Sequence, residues 1–208
     1  THYVITLGHF GDFVKQFLQL TYPERQFTFV QVDNYAGPGS SLGYSILKAK
    51  SELQCPFIFH ASDTILGEAD KAPNPNHNWC AGSRKEDSSQ YRTFTVNDDL
   101  TGTINEKGEI NFDYAYIGLC GIKDYSLFWD SLEQIYNNDP DNSSLSDVHI
   151  INDIMKEKNF KFVKINKWLD IGNTSELAKT RKEFEGEFEV LDKEEESIYF
   201  YDNFVVKF

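Results

Sequence analysis

The stretch Phe57-Ile58-Phe59-His60-Ala61-Ser62-Asp63-Thr64-Ile65-Leu66 predicts a buried strand that ends on a single acid, Asp63. The same arrangement returns in Lys167-Trp168-Leu169-Asp170-Ile171-Gly172-Asn173, where Asp170 follows a short apolar run and precedes a predicted helix. An acid at the carboxyl end of a parallel strand lies in the crevice where such sheets bind ligands. Because Mg²⁺ prefers carboxylate oxygens, the two acids together predict a magnesium site facing phosphate oxygens.

Each acid also has a purely structural interpretation. Asp63 alone could cap the turn that follows it through its own side chain. Asp170 alone could be the N-terminal cap of the next helix. Since both acids stand at strand ends in an alternating α/β chain, one metal site explains the pair better than two separate caps.

The composition predicts one domain, or one domain and the start of another, without nucleic-acid binding or membrane association. The chain has 208 residues, and no apolar run approaches the roughly 20 residues of a membrane-spanning helix. Its formal net charge of -13 repels a phosphate backbone. The three cysteines have no C-x-x-C spacing and residues 1–7 contain no export signal, so we expect reduced thiols and a cytoplasmic location.

Strands and helices alternate along the predicted fold. The predicted strands cover residues 2–7, 27–32, 56–60, 91–96, 102–104, 114–122 and 160–165. The predicted helices cover residues 12–20, 41–53, 125–136, 147–158 and 174–185, the last one capped by Asn173 or Thr174. This order predicts an α/β fold, a three-layer α/β/α sandwich with a Rossmann-like, mostly parallel mixed sheet. Residues 66–89 are predicted to form a long loop that lines the site.

Three further features predict contacts to a ligand. The loop Gly37-Pro38-Gly39-Ser40-Ser41 lets a backbone come close to a nucleotide, although a plain turn would have the same composition. Lys107, in the turn Glu106-Lys107-Gly108, could neutralise a phosphate, although an ordinary charged turn would have the same sequence. Trp79 is predicted to face a ligand from the 66–89 loop.

Nucleophilic catalysis has little support in the sequence. No G-x-S-x-G elbow occurs, and strand alternation sends the side chains of His60 and Asp63 to opposite faces. The other four histidines are scattered without metal-ligand spacing. We therefore expect a reaction that needs no covalent enzyme intermediate.

Five motifs follow one another in a distinctive order. They are Gly39-Ser40-Ser41-Leu42-Gly43 entering a helix, the strand from Phe57 to Asp63, the turn at residues 105–108, Tyr116-Ile117-Gly118, and Trp168-Leu169-Asp170-Ile171-Gly172. This order resembles that of the nucleotidyltransferases that make nucleotide sugars, the sugar-1-phosphate thymidylyl-, uridylyl-, cytidylyl- and guanylyltransferases. The resemblance covers about residues 1–185 and implies the nucleotide-diphospho-sugar transferase type of fold. Its most specific piece is W-L-D-I-G followed by a helix.

The resemblance implies a role for each matching residue. The implied ligands of a catalytic Mg²⁺ are Asp63 and Asp170. The implied nucleotide contacts are Gly39, Ser40 and Ser41. The implied contacts of the sugar phosphate are Glu106, Lys107 and Gly118, with Lys107 in a catalytic role. The implied reaction is attack by an acceptor phosphate oxygen on the α-phosphorus of a nucleoside triphosphate, which releases pyrophosphate.

Three features depart from the family pattern. A strand and a glycine-rich loop that grips the triphosphate would precede residue 1, so the chain is expected to be part of a longer protein or inactive in this form. Gly108 stands where proline usually follows Glu-Lys. Ser62 stands where glycine often precedes the metal-binding aspartate.

The last residues predict a hairpin around an Asp202-Asn203 turn. This segment resembles the opening hairpin of a small-molecule kinase of the aminoglycoside- or choline-kinase type, although a plain terminal hairpin has the same pattern. We therefore expect a nucleotidyltransferase-like domain at residues 1–185, and a linker and hairpin at residues 186–208 that could begin a kinase-like domain. With such a fusion, the acceptor could be phosphocholine instead of a sugar phosphate.

The expected function is Mg²⁺-dependent transfer of a nucleoside monophosphate to a sugar-1-phosphate or a similar phosphomonoester, in nucleotide-sugar and polysaccharide biosynthesis. One alternative is a metal-dependent glycosyltransferase of related fold, which would need a D-x-D motif where Ser62-Asp63-Thr64 offers one acid. Another is a non-catalytic nucleotide- or sugar-binding module, favoured by the missing triphosphate loop. The sequence is compatible with a homo-oligomer and leaves the base and the acceptor open.

Overall fold

The computed structural model describes residues 1–86 and 88–184, and the backbone of three later strands. The strands are β1 (His2–Leu7), β2 (Gln26–Gln31), β3 (Phe57–His60), β4 (Thr64–Leu66), β5 (Trp79–Ser83), β6 (Thr93–Val96), β7 (Gly102–Asn105), β8 (Tyr114–Ile122), β9 (Lys161–Lys164), β10 (Trp168–Asp170), β11 (Glu189–Lys193), β12 (Glu196–Tyr201) and β13 (Phe204–Lys207). The helices are α1 (Gly11–Thr21), α2 (Leu42–Lys48), α3 (Tyr125–Asn138), α4 (Asp147–Ile154) and α5 (Thr174–Glu183). Two compact units result, one of residues 1–61 and 66–168, the other of residues 62–65 and 169–208.

The larger unit contains a mixed sheet with strand order β7-β6-β8-β5-β9, to which β3 is added by pairing with β8. β5 and β9 are parallel, whereas the other described pairs of this sheet are antiparallel. β1 and β2 form a separate parallel pair. The predicted α/β class with a mixed sheet is confirmed, but parallel pairs are the minority in the large sheet. One reason is the tight turn between β6 and β7, which can join only antiparallel neighbours.

The largest difference from the predicted elements is β5, which lies inside the expected 66–89 loop. All five of its residues are buried, between β8 and β9 in the sheet. Four of them, Cys80 to Ser83, are small and none is β-branched or aromatic, so the segment lacks the usual strand signal. The expectation that Trp79 faces a ligand from a loop is wrong, because its side chain is 0% exposed at the start of this strand.

Two apolar cores flank the large sheet. The larger core packs α2, α3 and α4 against the sheet and includes the fully buried side chains Phe128, Trp129 and Leu132 of α3. Burying one side chain of this kind contributes about 1.5–3 kcal/mol to stability. The smaller core is formed by Trp79, Ala81, Ile117, Leu119 and Ile165, with Trp168 partly buried against it.

Helix α1 presents its apolar side chains to solvent. Phe13, Phe17 and Leu20 have the spacing that predicts the helix, yet they are 70%, 50% and 73% exposed. The helix buries only Gly11 completely. Helical periodicity therefore identified the element correctly without identifying what the element packs against. Among the described residues, no helix combines the length and the apolar character needed to cross a bilayer.

The terminal strands pair as the predicted hairpin requires. β12 and β13 are antiparallel, with Tyr201 opposite Phe204, and β11 pairs with the other edge of β12. The predicted Asp202-Asn203 turn lies outside the described residues. A domain boundary near residue 185 stays a prediction.

The larger core encloses a buried acid at the first residue of α4. The Tyr116 hydroxyl donates to Asp147 Oδ2 at 2.6 Å, and both residues are buried. Desolvation by burial raises the pKa of the Asp147 carboxyl, although the bond from Tyr116, the Val148 N–H and the charge of Arg92 act in the opposite direction. The folded protein therefore favours the protonated form of this acid more than the unfolded chain does.

Asp147→Asn is expected to change how stability depends on pH. Burial raises the folded-state pKa of Asp147. The contribution of this residue to the free energy of unfolding is therefore complete below the unfolded pKa of about 3.9, and it is lost as the pH rises through the folded pKa. Between pH 7 and pH 4 the free energy of unfolding of the wild type should therefore rise relative to that of the variant, as measured by urea denaturation.

Asp153→Asn, in the same helix, provides a control of opposite sign. Hydrogen bonds from Lys156 and Ser131 lower the pKa of Asp153. Its contribution is present above the unfolded pKa and is lost as the pH falls through the folded pKa. The wild type should thus lose stability relative to Asp153→Asn on acidification. If the free energies of unfolding of the wild type and of Asp147→Asn changed in parallel with pH, the prediction for Asp147 would be contradicted.

Candidate active site

Two carboxylates converge beside Gly172 in the smaller unit. Asp63 immediately precedes β4, and Asp170 is the last residue of β10, the strand paired with β4. The Ile171 N–H donates to the carbonyl oxygen of Asp63 at 3.0 Å, which places the start of β4 beside the end of β10. A Cβ atom at Gly172 would lie 2.8 Å from Asp63 Oδ2 and 3.1 Å from Asp170 Oδ1. Both carboxylates therefore border the same small space.

The chain brings these acids together by a different route from the one predicted. β3 ends at His60, and Asp63 leads into the separate strand β4. The acids meet because the start of one strand lies beside the end of another, which is an antiparallel relation, and not because two parallel strands end at one edge. A strand as short as β4 is too brief to show a periodic pattern in the sequence.

The helix cap that competed with the metal interpretation of Asp170 is provided by another residue. Asn173, one of the two residues predicted for the cap, is the N-cap of α5, and its Oδ1 accepts a hydrogen bond from the Glu176 N–H at 3.0 Å. Asp170 Oδ1 instead accepts from the Gly172 N–H at 2.8 Å. The Asp170 carbonyl oxygen accepts from Thr180 Oγ1 at 3.0 Å, which ties the strand end to α5. Asp170 is thus anchored at its backbone and at one carboxylate oxygen.

The chemistry of the two acids suits a small, hard cation. Mg²⁺ binds oxygen at about 2.0–2.1 Å, is usually held by one or two carboxylates, and keeps several waters. Among the residues that the structure describes, no three His, Cys, Asp or Glu side chains are arranged to hold a metal by themselves. A cation held by Asp63 and Asp170 would therefore draw further oxygens from solvent and substrate. Both acids lie close to Gly172. Because glycine has no side chain, no Cβ atom fills the space that the two carboxylates border.

The predicted nucleotide-binding loop is stabilised by local hydrogen bonds. Ser41 is the N-cap of α2, and its Oγ accepts from the Tyr44 N–H at 3.0 Å. Ser40 Oγ donates to the Gly37 carbonyl oxygen at 2.7 Å. Gly39 has a φ of +77°, a conformation that favours glycine. These hydrogen bonds are sufficient to explain why the loop adopts a turn. Its contact with a nucleotide stays a prediction.

Gly118 occupies a backbone irregularity in the central strand β8. Its φ is +68°, in the left-handed region, at a point where β8 shifts out of register with β5. Its carbonyl oxygen accepts from the Ala61 N–H at 2.8 Å, directly after β3. The glycine thus allows β8 to hold the segment that follows β3.

Gly118→Ala is expected to destabilise the fold by about 1–2 kcal/mol, because an alanine pays that much for a left-handed backbone. The measurement is the free energy of unfolding in urea. Gly118→Asn is the comparison, since asparagine adopts positive φ more readily. A loss that is smaller for asparagine than for alanine would identify the backbone angle as the cause, and an unchanged alanine variant would contradict the prediction.

The turn at residues 105–108, which is predicted to contact the acceptor phosphate, follows β7 and is joined to a neighbouring loop. Glu106 Oε2 lies 3.3 Å from Arg92 Nη2, and Lys107 is exposed. The Gly108 N–H donates to the Ser88 carbonyl oxygen at 3.2 Å. The turn at residues 105–108 is therefore held against the loop between β5 and β6.

Arg92 is a candidate site residue that the sequence pattern did not identify. Its side chain is 19% exposed, and besides Glu106 it donates to Ser146 Oγ at 3.3 Å. Its Nε is buried without an acceptor among the described residues. Its signal in the sequence is weak, because it is one basic residue within the predicted strand 91–96 and its partners are distant in sequence.

A second unpredicted group lies in the same loop. Lys85 Nζ is 5.0 Å from the ring centroid of Tyr91 and 5.1 Å from that of Trp168. The two rings contact each other edge to face, with centroids 5.2 Å apart. Trp168 is half-buried and also packs against the smaller core.

No protein-family model matches the chain, and no curated protein matches its sequence. Solved structures match it over most of its length. The CTP:phosphocholine cytidylyltransferase of Streptococcus pneumoniae is 15% identical, with a TM-score of 0.68 over 88% of this chain and 78% of that one. The inositol-1-phosphate CTP transferase of T. maritima is 13% identical, with a TM-score of 0.65 over 88% and 74% of the two chains.

A third match belongs to the same kind of enzyme. The nucleoside-diphosphate-sugar pyrophosphorylase of Vibrio cholerae is 11% identical, with a TM-score of 0.62 over 86% of this chain and 79% of that one. Identities of this size establish architecture, whereas activity has to be argued from the site. The chain therefore has the α/β fold of the nucleotidyltransferases, as its motif order implied.

Proposed function

We propose that the chain is a Mg²⁺-dependent nucleotidyltransferase that transfers a nucleoside monophosphate from a nucleoside triphosphate to a sugar-1-phosphate or a similar phosphomonoester, with release of pyrophosphate. The observation that carries the proposal is the convergence of Asp63 and Asp170 beside Gly172 in a chain with the nucleotidyltransferase fold. A pair of carboxylates suits this reaction, which depends on charge neutralisation and positioning.

Asp63 and Asp170 would hold the ion, which when bound would neutralise charge on the triphosphate and orient it. The chain itself carries a net charge of -13 and repels both substrates unless positive charge is concentrated locally. Asp170 is suited to its role because the Gly172 N–H fixes one carboxylate oxygen and Thr180 fixes its backbone. Its carboxylate therefore needs little reorganisation when the ion binds.

The acceptor would be bound at the turn formed by residues 105–108. The exposed ammonium of Lys107 would attract the acceptor phosphate, and Glu106 would accept a hydrogen bond from an acceptor hydroxyl. Arg92 holds Glu106 through the 3.3 Å contact and so limits its movement. Gly118 would allow an acceptor to come close to the backbone of β8.

The nucleotide would contact the loop of Gly39, Ser40 and Ser41. Since both serine hydroxyls already make hydrogen bonds inside the turn, we propose that the loop contributes its shape and backbone groups. In the transfer step an acceptor phosphate oxygen forms a bond to the α-phosphorus, and the bond from that phosphorus to the bridging oxygen of pyrophosphate breaks. No covalent enzyme intermediate is required.

Phosphocholine is the alternative acceptor. Two of the similar structures are named for transfer to phosphocholine and to inositol-1-phosphate, so acceptors on this fold are not confined to sugar phosphates. A cytoplasmic location, a homo-oligomer and a kinase-like segment after residue 185 stay predictions.

The test is pyrophosphate release from each of the common nucleoside triphosphates, with glucose-1-phosphate or phosphocholine as acceptor and with or without Mg²⁺. We expect release only when the triphosphate, one acceptor and Mg²⁺ are all present. Calorimetric binding of triphosphate without turnover for any acceptor would favour a non-catalytic module. Consumption of a nucleotide sugar, with no use of triphosphate, would favour a glycosyltransferase.

A further inference from the structure

Tyr91 and Trp168, which we call the aromatic pair, contact each other and both lie beside the ammonium group of Lys85. Ring faces attract a cation that lies within about 6 Å of the centroid. Lys85 Nζ meets this condition for both rings, at 5.0 and 5.1 Å. The interplanar angle of the pair is 77°, so the two rings approach one ammonium from different directions. The ammonium group of Lys85 thus lies over both rings of the aromatic pair.

The aromatic pair is joined to the proposed acceptor turn by two contacts. Ser88 lies in the loop that carries Lys85 and Tyr91, and its carbonyl oxygen accepts a hydrogen bond from the Gly108 N–H. Arg92, which follows Tyr91 in the same loop, contacts Glu106. An acceptor bound at residues 105–108 would therefore present its substituent near the loop in which Lys85 lies.

We propose that Lys85 is a specificity-determining residue that excludes acceptors with a quaternary ammonium group and favours phosphomonoesters of uncharged polyols, such as a sugar-1-phosphate. A trimethylammonium group needs the ring faces that Lys85 already covers, and two positive charges at one site repel each other. Discrimination of this kind acts by penalising the wrong ligand. The identification of the ligand as an acceptor rests on the proposed function, whereas the cation site rests on the geometry of Lys85 and the aromatic pair.

The cation site is tested by binding, without any need for turnover. Tetramethylammonium chloride is titrated into the ¹⁵N-labelled protein while the Trp168 indole N–H signal, assigned with Trp168→Phe, is followed by NMR. Potassium chloride at equal concentration controls for ionic strength. We expect Lys85→Ala to bind tetramethylammonium about tenfold more tightly than the wild type. Lys85→Arg keeps the charge and should behave as the wild type does.

Tyr91→Ala in the Lys85→Ala background should remove the gained binding, because one ring of the pair is then missing. Equal affinity of the wild type and Lys85→Ala, or no saturable change of the Trp168 signal in Lys85→Ala, would overturn the proposal. The spectrum of each variant also shows whether it is folded.

The consequence for specificity is measured as the ratio of kcat/KM for phosphocholine to kcat/KM for glucose-1-phosphate. We expect Lys85→Ala to raise this ratio about tenfold and Lys85→Arg to leave it unchanged. A wild type that already prefers phosphocholine would overturn the proposal. If no variant turns over either acceptor, the proposed function fails, and the tetramethylammonium titration still decides whether Lys85 blocks the aromatic pair.

Discussion

Asp63→Asn and Asp170→Asn are each expected to lower kcat for nucleotidyl transfer about 1000-fold, because each removes a proposed charged ligand of the Mg²⁺ ion that would offset phosphate charge. Asparagine has nearly the shape of aspartate, and both positions lie at the surface or only partly buried, so the fold should persist. Pyrophosphate release at saturating substrate and Mg²⁺ measures the first effect. Calorimetric titration with Mg²⁺ measures the loss of the binding site itself.

The matched control is Asp130→Asn, which makes the same change of charge at an exposed position on α3. It should keep the rate and the Mg²⁺ affinity of the wild type. Thermal denaturation of all three variants separates loss of the site from loss of the fold. Mg²⁺-dependent turnover retained in both Asp63→Asn and Asp170→Asn would rule out a metal site formed by these two acids.

Long apolar strands were predictable from the sequence. β1 and β8 lie at the residues that the apolar pattern indicated, since each contains several β-branched or aromatic residues. β5 was not predictable in this way. Its residues after Trp79 are small, and their burial depends on β8 and β9, which are distant in sequence. Local propensity therefore found strands that are themselves rich in large apolar residues and missed one whose place is set by its neighbours.

The residues of the candidate site also differ in whether the local sequence could predict them. Asp170 lies at a strand end, as predicted, and Asn173 is one of the two residues predicted to cap the next helix, because both features follow from adjacent residues. The contacts of Arg92 with Glu106 and of Lys85 with Trp168 join segments that no local pattern connects. Sequence motifs could thus indicate the two acids and the proposed acceptor turn, whereas the groups that surround this turn required the tertiary structure.

Gly172→Ala is expected to weaken Mg²⁺ binding and the Mg²⁺-dependent rate about 10- to 100-fold, the usual effect of disturbing the groups that orient metal ligands. The new Cβ would lie 2.8 Å from Asp63 Oδ2 and 3.1 Å from Asp170 Oδ1, so both carboxylates would have to move. Gly172 is exposed, and its φ lies outside the left-handed region, so alanine fits the backbone and the free energy of unfolding should change little.

Mg²⁺ concentration distinguishes a displaced ligand from a missing one. Gly172→Ala keeps both carboxylates, so a higher Mg²⁺ concentration should restore much of its rate, whereas Asp170→Asn should stay inactive at any concentration. Gly11→Ala, at the first residue of α1, makes the same substitution beside Leu7 in the larger unit, and should leave the Mg²⁺ dependence unchanged. If Gly172→Ala bound Mg²⁺ as the wild type does, the space beside Gly172 would not be the cation site, because a methyl group would then occupy that space without cost.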